Sequence, residues 1–116
     1  MAVLRTTTTV RFGGFTAALC QILTSLEQVA RSLDTPQTVT ITAGSDGEHT
    51  THSKHYSFNA VDVRTKNFPD LDRKWAFVEQ VQAALPAGKF SVIFESIGKA
   101  HEHAHVQLKK GQSFPS

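Results

Sequence analysis

Two stretches of this chain repeat their apolar residues at helical spacing, and four others alternate at strand spacing. That mixture is the strongest constraint on what the chain can fold into. From Phe15 to Leu33, the residues Leu19, Leu23, Leu26, Ala30 and Leu33 recur at steps of four, three, four and three, which is one face of an amphipathic helix. Thr16 is placed to cap it after Gly13 and Gly14, and Asp34, Thr35 and Pro36 to end it. Leu71, Trp75, Val78, Val81 and Leu85 predict a second helix, stopped by Pro86 and Gly88. Val39, Ile41 and Ala43 alternate with Thr38, Thr40 and Thr42 in a half-buried strand. Val61 and Val63 oppose Ala60, Asp62 and Arg64; Phe90, Val92 and Phe94 alternate; His103 to Leu108 is a fourth strand candidate. Thr6 to Val10 reads as a short edge strand or an arm, and Ser96 to Ala100 as a short turn around Gly98. Gly44 to Asn59 has no periodicity and reads as a long loop, a kind usually reserved for function. The expected fold class is α+β, with two helices packed on a small, mostly antiparallel sheet. With 116 residues, the chain is long enough for one core and too short for two, so 1–116 reads as a single domain.

Composition narrows the function classes. The chain is 40% apolar and 19% charged, as a globular domain is. Twelve basic against ten acidic residues give a net charge of +2, which argues against a nucleic-acid binder with a dense basic face. One cysteine, Cys20, excludes an internal disulfide and a cysteine-based zinc knuckle, and its place in the first helical pattern predicts a small core residue. Trp75 and Phe77 are expected in helix packing. The start, MAVLRTTTTVRFGG, lacks the apolar run of a signal peptide, and no stretch approaches a transmembrane span. Synthesis in the cytoplasm, no membrane partner and a monomer are the expectations.

The six histidines fall in two clusters, His49, His52 and His55, then His101, His103 and His105. Catalytic zinc takes three protein ligands, histidines and often a carboxylate, and keeps a position for water. His55 closes the long loop and Asp62 lies seven residues on, beside the small Ala60. His101, His103 and His105 fall at steps of two, so on a regular strand all three face the side that carries Asp62 and supply a third ligand. Water at such a site needs a nearby base. Glu102 qualifies only if residues 101–103 are loop or bulge, because on a strand it points away from His105. Glu95 is the alternative.

SKHYSFNAVD, Ser53 to Asp62, resembles the Ser-x-His-x-x-Gly-x-Ala-x-Asp signature of the zinc D-alanyl-D-alanine carboxypeptidases. That family shares its fold with the hedgehog signalling domain and includes phage L-alanyl-D-glutamate endopeptidases. Ser53, His55, Ala60 and Asp62 match, and Phe58 stands where glycine is usual. EHAHVQ, Glu102 to Gln107, resembles the family's second motif. The resemblance implies zinc held by His55, Asp62 and His105, Glu102 as the base, and His103 as a donor to the tetrahedral intermediate. His49 matches a histidine that phage-type members place six residues before the first ligand, where it lines the substrate site. Many members carry an arginine after the first strand; here that segment is AGSDG. Lys54 and Arg64 are the nearby cations, and Arg64 joins His49 as a substrate-binding candidate. The implied activity is hydrolysis of peptide bonds in peptidoglycan stem peptides, as carboxypeptidase or endopeptidase, by a phage or prophage lysin released to the wall or carried on a virion. Two other readings stand beside it. HEHAHVQ also resembles the histidine-triad nucleotide hydrolases, although Glu102 and Gln107 break that pattern and the first cluster goes unused. A zinc-binding wall or virion module without catalysis would carry the same ligands.

Overall fold

The computed structural model describes residues 2–8, 10, 16–33, 38–44 and 59–115. The chain runs through β1 (Leu4–Thr6), α1 (Ala17–Ser32), β2 (Val39–Ala43), β3 (Ala60–Arg64), α2 (Leu71–Ala84), β4 (Phe90–Glu95) and β5 (His103–Leu108). The order and type of these elements are those expected from periodicity, with β1 slightly nearer the start than Thr6 to Val10. The strands form one five-stranded sheet in the order β1-β2-β3-β5-β4. Only the β1–β2 pair is parallel; the other pairs are antiparallel.

Each helix starts where a side chain takes an orphan backbone N–H. Thr16 Oγ1 accepts from Leu19 N at 3.0 Å for α1, and Asp70 Oδ1 accepts from Arg73 N at 2.8 Å for α2. Thr16 also donates to Asn59 Oδ1 at 2.6 Å, tying the start of α1 to the residue that leads into β3. The edge strand β4 is partly covered by α2. Gln82 Nε2 donates to Phe90 O at 3.0 Å and its Oε1 accepts from Val92 N at 2.9 Å, so one side-chain amide stands in for a neighbouring strand.

The core lies between the helices and one sheet face. Leu19, Ile22, Leu26 and Val29 of α1 and Phe77, Val78 and Val81 of α2 meet Val61, Val63, Ala104 and Val106 of the central strands. Phe68 packs on Phe77 with ring centroids 4.9 Å apart. Because side chains alternate along a strand, Asp62, His103 and His105 project from the opposite face.

Leu19, Leu26 and Ala30 of α1 and Val78 and Val81 of α2 are buried as expected, but both helices are rotated slightly, so that the stripe differs at its edges. On α1 the buried stripe runs through Ala18, Leu19, Ile22, Ser25, Leu26, Val29 and Ala30. Leu23 is at its border, and Cys20 is exposed rather than in the core. Ser25 is tolerated inside because its hydroxyl donates to Ala84 O at 3.1 Å and accepts from Gln21 Nε2 at 3.0 Å. On α2 the buried residues are Phe77, Val78 and Val81. Leu71 and Trp75 are 49% and 43% exposed, and Trp75 leans edge-on against Phe94 at 5.0 Å instead of entering the core. The helical period fixes that one face is buried, and α1, α2 and β4 packing together select which.

Candidate metal and catalytic site

The site is built from the pairing of β3 with β5. Asp62 lies directly opposite His105 in the antiparallel register, and Arg64 opposite His103. On the other side of β5, Ile93 and Glu95 of β4 face His105 and His103. These residues share the sheet face turned away from the helices. Paired residues in such a ladder have Cβ atoms about 5 Å apart, so their side chains meet without any loop to hold them.

His105 Nδ1 is 2.7 Å from Asp62 Oδ1, and its Nε2 is 2.7 Å from Gln107 Oε1. The Asp62 hydrogen bond raises the imidazole pKa above its ordinary value; burial works against this, and Gln107 and the charges of Asp62 and Glu95 add to it. His103 donates from Nδ1 to the carbonyl of His101, which orients its ring. Its Nε2 then lies 3.4 Å from Glu95 Oε1 and 3.8 Å from Asp62 Oδ1. His101 itself sits in the turn before β5 and is exposed, so the three histidines do not form one row.

Glu102 precedes β5, outside the regular strand as its proposed role required. Its carboxylate, however, is buried and heavily engaged. Oε1 accepts from Thr65 Oγ1 at 2.7 Å and from Lys74 Nζ at 2.7 Å, and Oε2 accepts from Gly98 N at 2.8 Å. Burial alone would raise its pKa; the bonds from Lys74, Thr65 and Gly98, with the Lys74 charge, outweigh that and hold it at about 2. Gly98 has φ of 78°, a conformation that favours glycine, in the turn that sends its N–H to the carboxylate.

No family model, curated protein or solved structure matches this chain. The chemistry of the site is therefore read from its own residues.

Asp62 Oδ1 and His105 Nδ1 face each other in a direct hydrogen bond of 2.7 Å, and a carboxylate oxygen and an imidazole nitrogen are donor types that zinc takes. Among the described residues no trio of histidine, cysteine and carboxylate is arranged to hold a metal. The third expected ligand, His55, and the substrate candidate His49 lie outside the described residues. Arg64 is exposed beside the site, on the rim of a cavity of about 350 Å3 that Asp62, His101, Glu102 and His103 also line. A bulge shapes this cavity. Ile41 pairs with Val63 and Ala43 with Asp62, so Thr42 is left over between them and lines the same space. Thr65 and Lys74 were not expected at the site. Neither carries a sequence signal, since their partner Glu102 is 37 and 28 residues away along the chain.

Proposed function

We propose that this chain is a zinc-dependent peptidase acting on peptidoglycan stem peptides, with a fold of the hedgehog/DD-peptidase kind. The observation that carries the reading is the Asp62–His105 pair, opposite in register and 2.7 Å apart. It supports the ligand order implied by the two motifs, with His55 as the remaining ligand. Zinc bound there would supply Lewis acidity to a peptide carbonyl and to water.

The chain's own residues supply positioning and proton transfer. His105 is held by Gln107 behind it, which orients the ring toward Asp62. His103 presents Nε2 beside Asp62 and is the group placed to donate to an oxyanion. Glu95 stands within reach of His103 on the same face, and among the described residues no lysine is paired with it. Glu102, the base implied by the motif, must first let go of Lys74. In this geometry Glu95 is the better-placed base. A lysin released to the wall, or a virion-borne hydrolase, is the setting that suits this activity.

The test is direct. Purified protein with zinc, incubated with peptidoglycan, should release new amino groups, and His105→Ala should abolish the release. Activity that survives both EDTA and that substitution overturns the proposal. Tight zinc and peptidoglycan binding without cleavage would replace it with the non-catalytic wall module.

A further inference from the structure

We propose that Lys74 and Glu102 are positioning residues: their buried pair clamps the 96–102 loop, and through that loop it sets the ring of His103 at the site. This rests on the peptidase reading and adds to it the means by which the proton donor is aimed.

Glu95 and His103 are opposite each other at the ends of β4 and β5, and the loop closes the hairpin directly beyond them. Two turns shape it. Lys99 N donates to Ser96 O at 2.9 Å, and Glu102 N donates to Lys99 O at 3.2 Å. Ser96 takes φ of 55°, a left-handed conformation that persists in a residue with a side chain only when the surroundings hold it. Glu102 supplies that hold. Its carboxylate reaches back across the loop to Gly98 N, and is itself gripped by Thr65, which follows β3, and by Lys74 of α2. One buried side chain thus ties the loop to two separate elements.

The loop acts on His103 through His101, whose carbonyl accepts from His103 Nδ1. A carbonyl only accepts, so Nδ1 carries the hydrogen and Nε2 is the nitrogen that faces Glu95 and Asp62. A loop released from α2 moves that carbonyl and frees the ring to turn and to change tautomer. Stability alone does not call for the clamp. Apolar groups of similar volume often replace a buried ion pair without loss, whereas the pair selects one arrangement of what it joins.

The ring is read directly by ring-nitrogen NMR of the metal-free chain at about pH 8, where an ordinary histidine is neutral. His103 is assigned by the signal missing in His103→Gln. The parent should show Nδ1 protonated and Nε2 bare. Lys74→Met should turn this into a mixture of tautomers, and Lys74→Arg should keep the parent pattern. Because Lys74→Met strands a buried carboxylate, the double variant Lys74→Met, Glu102→Leu is measured beside it. With no charge left to strand, it should melt near the parent temperature and still lose the pattern. Hydrolysis is followed with zinc and the soluble stem pentapeptide, which contains both candidate bonds. There Lys74→Met should lower kcat about tenfold and leave KM within about twofold. A parent tautomer pattern in both variants overturns the positioning role, and so does a kcat that is unchanged or raised in Lys74→Met; a rise would return the role of base to Glu102. A lost pattern with no hydrolysis by the parent leaves the positioning role standing and removes the peptidase reading. Hydrolysis by the parent, with the pattern kept in both variants, does the reverse.

Discussion

Glu102 stands just ahead of β5 with its carboxylate enclosed by three donors. It lies outside the strand, as a base at this position requires, yet its carboxylate closes a buried network with Lys74, Thr65 and Gly98. Its pKa of about 2, below the ordinary 4.5, makes the charged form a source of stability. The sign follows from linkage. The contribution is fully present above about pH 5, and it is lost as pH falls through the folded value. At about 1.4 kcal/mol per pKa unit it is of the order of 3 kcal/mol. Urea unfolding of the parent chain and of Glu102→Gln should therefore differ most near pH 6, with the gap closing towards pH 2. A gap that is constant over that range would show that the network does not hold the charge. Lys74→Met should be the more damaging change, by about 3–5 kcal/mol, because it strands a buried carboxylate.

At the level of elements, the N-terminus of α1 does two things at once. Thr16 caps the helix and bonds Asn59, the residue entering the strand that carries Asp62. Removing a threonine cap costs about 1 kcal/mol, and the lost tie to Asn59 adds to it. Thr16→Ala should lower the urea midpoint accordingly, and Thr16→Ser should restore most of it. If alanine and serine behave alike, the hydroxyl is not what holds this end. The facing of side chains within β3 and within β5 was legible from sequence because period-two alternation assigns each to a face without reference to anything distant, whereas the pairing of the two strands is tertiary. Asp62 and His105 fall on one face for that reason, and so do His103 and Arg64. The β2 bulge at Thr42 has no such signature, since it is a property of the pairing between two strands.

For the whole molecule, packing chose among helix faces that the sequence leaves equivalent. Phe77 is fully enclosed against Phe68, whereas Trp75 remains 43% exposed over Phe94. Phe77→Ala should destabilise by about 3–5 kcal/mol, the range for a buried aromatic. Trp75→Ala should lose no more than about 1–2 kcal/mol, since much of its surface stays in water. Equal losses in thermal or urea unfolding would place both rings in the core and contradict the rotation of α2. Among the described residues no helix is long and apolar enough to cross a membrane.

What the sequence determined by itself is the succession of helices and strands, the capping residue of α1, and the common face of Asp62, His103 and His105. All of these depend on neighbours within a few positions, where periodicity and local hydrogen bonding act. Only the tertiary structure decided that Cys20 and Trp75 lie outside the core, that Glu102 belongs to Lys74, and that Arg64 shares a cavity with Asp62. Those outcomes join residues from separate elements. They depend on how two helices settle on one sheet, a choice made by the sum of packing and buried charge across the molecule.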